Sequence, residues 1–327
     1  MQRNKQLGKE AKTAYVFPGQ GSQKVGMGKD IYNNYPSARD VFDEVDETLG
    51  FSLSRLCFEG PEEELTQTIN VQPAVLTVSI ACFRAAQEAS NNSLPPPAFV
   101  AGHSLGEYTA MVVAEVLSLS DTVPLVRERG RLMSEAGKKT TGGMLAVLGL
   151  DEETIREICF SAGTEISNIN SPGQIVISGA TDKLAEARSL AEIRGARRVV
   201  PLKVSGAFHS ALMEPALDGL KKAISKLTFQ KPSVPVVANV TAQAMTDNEA
   251  IKEELVSQVL HCIQWQRSVE NIVAEGVTTF FEIGHGQVLT GLIKRISPGV
   301  QVFNIGDVET VRQISQRVSY TAGMESR

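Results

Sequence analysis

The sequence is poor in cysteine and histidine, with four of each among 327 residues. No two cysteines have the C-x-x-C spacing of a thiolate metal site, and their positions suggest no disulfide pairing. We therefore expect no bound metal and a reducing compartment, in which the cysteines are core or surface thiols. These are Cys57, Cys82, Cys159 and Cys262.

Excess positive charge and long apolar runs are also missing. The formal net charge of −5 argues against general nucleic-acid binding. No apolar run approaches the length of a membrane span, and the N-terminus lacks the apolar segment of a secretory signal. We expect a cytoplasmic protein that does not bind membranes. The alternative is an organelle, reached after removal of a targeting peptide, because residues 1–12 are polar and basic.

The remaining composition, 42% hydrophobic and 21% charged, is typical of a globular protein. Buried strands are predicted at 13–17, 98–101, 234–240, 278–283 and 300–305, and they alternate with helical patterns. This alternation predicts an α/β fold with a parallel sheet. The helical patterns cover 31–49 with a division at Pro36, a helix with Pro73 in its first turn, 107–117, 121–136, and a short final helix through Val311 and Val318.

The pattern changes between residues 144 and 202. Strand and helix signals there follow the order β-α-β-β-α-β, which is the ferredoxin-like unit. We predict a small domain at 140–206, inserted into a large discontinuous domain at 13–139 and 207–306. Residues 1–12 and 307–327 are then terminal extensions.

The sequence around Ser104 indicates a nucleophile. Ser104 lies between Gly102 and Gly106, directly after a predicted strand and before a predicted helix, which is the G-x-S-x-G elbow. Glycines on both sides allow the backbone to approach closely, while the serine hydroxyl projects from a strained turn. The first N–H groups of the helix would face an oxyanion formed at this serine. A glycine-flanked loop serine without catalytic function is the alternative.

A serine hydroxyl needs a base within hydrogen-bond reach to act as a nucleophile. His209 is the best placed of the four histidines, because it follows the predicted small domain at a loop-to-helix boundary. A capping or surface histidine is the alternative for this position. The glycine-rich turn at 18–23 lacks the sequence of a phosphate-binding loop, which makes nucleotide binding a weak hypothesis.

Five separated motifs give the chain a family resemblance. They are Phe17-Pro-Gly-Gln-Gly-Ser-Gln23, Gly102-His-Ser-Leu-Gly-Glu-Tyr108, Arg129-Gly130, Asn170-Ser-Pro-Gly-Gln174 and Phe208-His-Ser210. Together they resemble the malonyl-CoA:acyl carrier protein transacylases of fatty-acid synthesis, over residues 14–305. The resemblance implies an α/β-hydrolase-like large domain with a ferredoxin-like insertion. It also implies malonyl-CoA as donor substrate, acyl carrier protein as partner and no bound cofactor.

The resemblance also assigns roles to individual residues. Ser104 would be the nucleophile and His209 the base, while Arg129 would bind the malonyl carboxylate. The backbone N–H groups of Gln20 and Leu105 would form the oxyanion hole. The further implied groups are the main-chain carbonyl of Gln258, which would orient His209, and Asn170 in the substrate site.

Two features depart from expectation. Hydrolases with this elbow place an acid behind the histidine, whereas the resemblance implies only a neutral carbonyl. We expect this carbonyl to favour a thiol over water as acyl acceptor.

The family also usually has proline near His261-Cys262 and between Gly284 and Gly286, where this chain has His285. The loss of these prolines frees φ and leaves open the geometry of the loop that carries the Gln258 carbonyl.

The predicted partner is small and acidic, so a chain of net charge −5 needs a local basic patch to attract it. Two basic pairs are candidates, Arg197-Arg198 and Lys294-Arg295, with solvated surface pairs as the alternative. Other readings of the chain are a serine esterase or thioesterase, a non-catalytic carrier-protein adaptor, and a polyketide rather than fatty-acid acyltransferase. We expect the protein to be a monomer.

Overall fold

The computed structural model describes residues 12–325, and the predicted N-terminal extension lies outside the described residues apart from Lys12. The described chain forms two β-sheets with helices packed against them. The strands are β1 (Lys12–Phe17), β2 (Pro97–Gly102), β3 (Gly142–Leu148), β4 (Glu165–Ser171), β5 (Gln174–Ala180), β6 (Arg198–Pro201), β7 (Val236–Val237), β8 (Ala244–Met245), β9 (Val277–Ile283) and β10 (Gln301–Ile305).

The helices lie between the strands and after the last one. They are α1 (Lys29–Asn34), α2 (Pro36–Leu49), α3 (Leu53–Glu59), α4 (Glu62–Leu65), α5 (Thr68–Ala89), α6 (Gly106–Val113), α7 (Leu119–Lys139), α8 (Glu152–Ala162), α9 (Thr181–Ile193), α10 (Leu217–Ile224), α11 (Asn248–Ser257), α12 (Trp265–Ala274), α13 (Val288–Ile296) and α14 (Val308–Glu325). A 3₁₀ helix at Ala211–Ala216 precedes α10.

The large sheet has the strand order β10-β9-β1-β2-β7-β8. Its strands run parallel, except that β8 pairs antiparallel with β7. Parallel strands end at a common edge, so the loops after β1, β2, β7 and β9 meet there. This edge carries the residues of the candidate site, and the sheet confirms the predicted α/β class.

The two faces of the large sheet bury alternate residues of β1. Tyr15 and Phe17 face a core shared with α2, α5, α6, α7 and α14, whereas Ala14 and Val16 face a second core against α12 and α13. Alternate side chains of a strand point to opposite faces, so helices on both sides bury β1 from Thr13 to Phe17.

The small sheet has the order β4-β5-β3-β6 with antiparallel pairing throughout. Its apolar face, with Leu145 and Ile177 among its residues, packs against α8 and α9. This strand order and helix placement confirm the ferredoxin-like unit. The exact domain boundaries stay a prediction.

Three predicted elements are wrong in extent. The helix with Pro73 begins at Thr68, so the proline is its sixth residue and not in its first turn. Burial of almost every residue from Thr68 to Ala86 offsets the hydrogen bond that this proline cannot donate. The strand predicted at 234–240 pairs only at Val236–Val237, and α6 ends at Val113, shortly before Glu115 takes a left-handed φ of 60°.

The prediction that no apolar run approaches the length of a membrane span is wrong for α5: within residues 12–325, the helix Thr68–Ala89 is long and apolar enough to cross a bilayer by length and composition. Of its apolar window, 83% is buried inside the protein, as in the core helix of a folded domain. At the end of the chain, α14 is longer than the short helix predicted there, and its Val311 and Ile314 are part of the main core.

Candidate active site

Ser104 lies at the turn between β2 and α6 with a left-handed φ of 51°. A Cβ on Gly102 would lie 1.8 Å from the carbonyl carbon of Gly106, and a Cβ on Gly106 would lie 2.1 Å from the carbonyl oxygen of Phe17. Only glycine fits at either position, which is the physical basis of the predicted elbow. The Ser104 N–H donates to Asn239 Oδ1 at 2.6 Å, which fixes the strained turn to the loop after β7.

His209 contacts Ser104 directly. Its Nε2 lies 2.9 Å from Ser104 Oγ, and its Nδ1 lies 2.7 Å from the main-chain oxygen of Gln258. A carbonyl oxygen can only accept, so the proton is on Nδ1 and the Nε2 lone pair faces the serine hydroxyl. This tautomer is the one that a general base needs.

The environment of His209 keeps the imidazole neutral. Burial, followed by the charge of Arg129, lowers the pKa of His209 to about 3, against the opposing effect of the bond to Gln258. The ring is held by its own segment, in which Ser178 of β5 donates to the carbonyl of Phe208 at 2.7 Å. His209 itself has a φ of 56°. The small sheet thus contributes to the position of His209.

Arg129 is the third group at the serine. It is 1% exposed, and its Nη2 donates to Ser104 Oγ at 3.2 Å. Its other acceptors are side-chain amides, Gln72 Oε1 at 2.6 Å from Nη1 and Gln258 Oε1 at 2.7 Å from Nη2. The adjacent Gly130 makes the contact with α5 possible, because a Cβ there would lie 2.4 Å from the carbonyl oxygen of Thr68.

The two residues predicted to supply the oxyanion donors lie in the lining of the site. Gln20 and Leu105 line a cavity of about 260 Å³ together with Ser104, Arg129 and His209. Among residues 12–325, neither the Gln20 N–H nor the Leu105 N–H donates a hydrogen bond. Both are therefore free to bind a negatively charged oxygen.

Asn170 lies on the wall of the same cavity. Its Oδ1 is 2.8 Å from His103 Nε2, so this histidine supports Asn170 and is not available to Ser104 as a base. The His103 ring lies against Trp265, with 5.7 Å between ring centres.

Comparison with known proteins agrees with the geometry. The family model described as an acyl transferase domain matches residues 14–312. A malonyl CoA-acyl carrier protein transacylase of Bacillus subtilis is 45% identical over 306 residues, covering 92% of this chain and 95% of that protein. The chain belongs to the malonyl CoA-acyl carrier protein transacylase family.

Solved structures of the transacylase family share the fold. An acyl carrier protein S-malonyltransferase from Vibrio cholerae superposes with a TM-score of 0.89 at 42% identity, covering 93% of this chain and 100% of that one. A malonyl-transacylase in complex with a type II polyketide synthase acyl-carrier protein gives a TM-score of 0.90 at 39% identity, over 94% and 100%. The predicted resemblance is thereby confirmed.

The two departures from the transacylase pattern leave the site geometry in place. The His261 N–H donates to the carbonyl of Ser257 at 3.2 Å, a bond that proline could not make. Ile263 then pairs with β4 through Ser167 and Ile169, so the segment beyond Gln258 is fixed by the small sheet. His285 is half-buried between two glycines of left-handed φ, and burial lowers its pKa.

The predicted docking residues lie on the surface. Arg197, Arg198, Lys294 and Arg295 are all exposed. Arg295 also contacts the wall of the cavity. Its Nη1 donates to Gln174 Oε1 at 2.7 Å, and Gln174 lines the cavity. A role of these residues in partner docking stays a prediction.

Sequence reasoning missed three residues of the transacylase site. Gln72, on α5, contacts Arg129, and Asn239, in the loop after β7, contacts Ser104. No local sequence pattern predicts either contact. Glu107 was visible only as part of the elbow motif. It is fully buried, accepts from the Asn239 N–H at 3.0 Å and pairs with Gln258 Nε2. Burial and nearby Glu254 raise its pKa well above the ordinary value.

Proposed function

We propose that this chain transfers malonyl from coenzyme A to the phosphopantetheine thiol of an acyl carrier protein, by a ping-pong mechanism through a malonyl-Ser104 ester. The observation that carries the proposal is the convergence on Ser104 Oγ of a correctly protonated His209 at 2.9 Å and a buried Arg129 at 3.2 Å. The names of the relatives support the choice of substrate and carrier.

In the first half-reaction, His209 Nε2 takes the hydroxyl proton as Ser104 Oγ attacks the thioester carbonyl. The Gln20 and Leu105 N–H groups stabilise the oxyanion of the tetrahedral intermediate. The carbon–sulfur bond then breaks, and the coenzyme A thiolate receives the proton from His209. In the second half-reaction, His209 takes the proton of the carrier thiol as its sulfur attacks the ester carbonyl. The bond between the acyl carbon and Ser104 Oγ then breaks, and Ser104 Oγ receives the proton from His209.

Arg129 supplies the selectivity in this scheme. A guanidinium beside the acylated serine pairs with the free carboxylate of malonyl by charge-assisted hydrogen bonds. An acetyl group has no such carboxylate and leaves the buried charge without its partner. An esterase has no use for this arginine, which favours the transferase over the hydrolase reading.

The neutral hydrogen-bond partner of His209, the Gln258 carbonyl, affects which molecule accepts the acyl group. Within residues 12–325 the partner of Nδ1 is a carbonyl and not a carboxylate, and the pKa of His209 is lowered to about 3, so an imidazolium is weakly stabilised. A thiol is more acidic than water and requires less of its base. The arrangement therefore favours transfer to a thiol over hydrolysis.

The remaining features of the proposal follow from this chemistry. Acyl exchange between an oxygen and a sulfur moves only protons and the acyl group, so we propose no bound cofactor. Ser104, His209 and Arg129 come from one chain, which is what a monomeric enzyme needs. Cys57, Cys82, Cys159 and Cys262 are free thiols, as expected in the cytoplasm.

Intact-protein mass spectrometry tests the proposal. Mixing the protein with malonyl-CoA should add one malonyl group, and later addition of holo acyl carrier protein should remove it and malonylate the carrier. Methylmalonyl-CoA and acetyl-CoA, run in parallel, define the strictness for malonyl. Carriers of fatty-acid and polyketide type, also in parallel, identify the pathway.

The variant Ser104→Ala isolates the covalent step, because it removes the only acylated oxygen. We expect no mass increase and no transfer to the carrier. Full malonyl transfer by this variant would overturn the covalent mechanism. In the parent protein, loss of the malonyl group from Ser104 to water at the same rate with and without carrier would instead indicate a thioesterase.

A further inference from the structure

The side chain of Gln258 makes several contacts in the site that are separate from the hydrogen bond of its main-chain carbonyl to His209. It is fully buried at the end of α11. Its Oε1 accepts from Arg129 Nη2 at 2.7 Å, and its Nε2 donates to the carbonyl of Ser104 at 3.0 Å and to Glu107 Oε2. The amide oxygen and both hydrogens of the amide nitrogen thus each contact a group of the site.

The orientation of this amide is fixed by its partners. A guanidinium has only donors, so the Gln258 atom that contacts Arg129 is the oxygen. The two hydrogens of Nε2 then face Ser104 and Glu107. A reversed amide would bring its NH₂ group against Arg129 and leave both groups unmatched.

The acceptors of Arg129 are all neutral. They are Gln72 Oε1, Gln258 Oε1 and Ser104 Oγ, and within residues 12–325 no carboxylate forms an ion pair with this arginine. The Glu107 carboxyl is one amide away, on the far side of Gln258. The guanidinium is therefore held in place while its charge has no direct ionic partner.

We propose that the Gln258 side-chain amide is a positioning group that determines selectivity. It holds Arg129 with a neutral oxygen, so that the charge stays available to a substrate carboxylate, and it ties the guanidinium to the backbone of the Ser104 elbow. The inference rests on the proposed function, since it assumes that Arg129 binds the malonyl carboxylate and that Ser104 carries the acyl group.

The substitution Gln258→Glu tests the neutral oxygen. It keeps the shape and the main-chain carbonyl that orients His209, but adds a carboxylate that pairs with Arg129 in place of the substrate. We expect the ratio of kcat/KM for Ser104 acylation by malonyl-CoA over acetyl-CoA to fall on the order of a hundredfold. The malonyl loss should be mainly in KM, because the competing ion pair acts before chemistry.

The matched control is Gln72→Glu. Gln72 also accepts from Arg129, at 2.6 Å, but its amide nitrogen contacts the sulfur of Met133 and not the elbow. Both glutamates should reduce malonyl selectivity. Only Gln258→Glu also removes the donor to the Ser104 carbonyl, so its kcat for acetyl loading should be lower by about tenfold than that of Gln72→Glu.

A second variant, Gln258→Met, separates charge from shape and serves if the buried glutamate prevents folding. It has no carboxylate to compete, so it should keep roughly ten times more malonyl selectivity than Gln258→Glu, with the same loss in acetyl loading. Thermal unfolding of each variant monitors the fold. Equal fractional losses with malonyl-CoA and acetyl-CoA in both Gln258 variants would overturn the selectivity role.

Equal acetyl loading by the two glutamate variants would overturn the link to Ser104. The parent protein and Arg129→Ala are measured in the same series, so that failure of this inference can be told apart from failure of the proposed function. A parent without malonyl preference, or an Arg129→Ala variant that keeps it, would overturn the proposed function and this inference with it. If the parent prefers malonyl-CoA and Arg129→Ala loses that preference, but Gln258→Glu has the same selectivity as the parent, the inference alone is overturned.

Discussion

His209 shows how burial and one neutral hydrogen bond set the chemistry of a single residue. The carbonyl of Gln258 places the proton on Nδ1, and burial with the nearby Arg129 lowers the pKa of the ring to about 3. The base is therefore unprotonated well below neutral pH. The absence of a carboxylate partner and the low pKa have the same effect, since neither favours the imidazolium.

The pH dependence of malonyl loading follows from this shift. A base works only when unprotonated, so lowering its pKa extends activity toward acid. We expect kcat/KM for Ser104 acylation to stay within about twofold between pH 8 and pH 5, without the decline near pH 6.5 of an ordinary histidine. Rapid-quench mass spectrometry across this range measures it, and an acid limb centred near pH 6.5 would contradict the buried neutral base.

Removal of the base gives an independent result. His209→Ala should slow acylation by roughly two to four orders of magnitude and leave the binding of coenzyme A in place, because the base acts in the transition state alone. Quench kinetics and coenzyme A binding by calorimetry measure the two effects. Unchanged turnover would mean that a different group accepts the proton.

A further prediction at the residue scale concerns Arg129. Charged hydrogen bonds contribute roughly 1.5–3 kcal/mol each, so the parent should prefer malonyl-CoA over acetyl-CoA by about a hundredfold or more. Arg129→Ala should lose malonyl loading and gain relative acetyl loading. Competition between the two thioesters, followed by mass, gives the ratio; a variant that still prefers malonyl would show that another residue contacts the carboxylate.

At the scale of elements, close backbone approaches determine where the active groups meet. The elbow packs against β1 through Gly106, and α7 packs against the start of α5 through Gly130. These contacts bring Ser104, Arg129 and Gln72 together from three elements that are far apart in the chain. The site thus depends on the absence of a Cβ at these two positions as much as on the polar side chains.

The variant Gly106→Ala tests the approach at the elbow. Its Cβ would lie 2.1 Å from the Phe17 oxygen, so we expect a loss of about 3 kcal/mol or more of unfolding free energy, or roughly 6 °C or more in Tm. Gly291→Ala in α13 is the control, since its Cβ would meet only Arg295 Nη2 at 3.8 Å. This helical control should gain about 0.5–1 kcal/mol. Equal stabilities by thermal denaturation would contradict the close approach.

At the scale of the whole molecule, the site lies where the two sheets meet. The loops of the large sheet carry Ser104 and the proposed oxyanion donors, and the small sheet supports His209 through Ser178 and Asn170 through β4. Arg295 of α13 bridges to Gln174 of β5 beside the cavity. The predicted docking residues belong to both halves of the fold: Arg197 and Arg198 lie at β6 of the small sheet, and Lys294 and Arg295 lie on α13, which packs against the large sheet. They belong to a chain whose net charge is −5.

Charge reversal tests whether these side chains attract an acidic carrier. We expect the triple variant Arg197→Glu, Arg198→Glu, Lys294→Glu to raise the KM for carrier about tenfold at low salt, with a smaller effect at high salt. Malonyl loading from coenzyme A should change far less. Arg295 is left intact, because its contact with Gln174 would confound the result.

The control for this experiment reverses Arg39, Arg55 and Arg84, which are exposed residues of α2, α3 and α5 outside the cavity lining. It changes the net charge by the same amount and should leave the KM for carrier within about twofold of the parent. Equal effects of the two triple variants would attribute the change to net charge. A transfer rate of the parent that does not vary with salt would contradict electrostatic docking altogether.

The sequence by itself determined what local forces decide. Strand and helix periods, the division at Pro36 and the glycines of the elbow depend on neighbouring residues, so the α/β class, the ferredoxin-like unit and the position of Ser104 could be predicted. His209 was inferred by elimination among four histidines. The family resemblance, carried by five motifs, supplied the roles of Arg129 and of the Gln258 carbonyl.

Only the tertiary structure decided which distant residues meet. The tautomer of His209, the neutral acceptors of Arg129 and the orientation of the Gln258 amide depend on atoms separated by between 25 and 154 residues in the chain. The extension of α5 to Thr68, past a proline, was likewise decided by burial against neighbouring elements. A local pattern contains no information on such partners, because packing and buried hydrogen bonds outweigh propensity once the elements assemble.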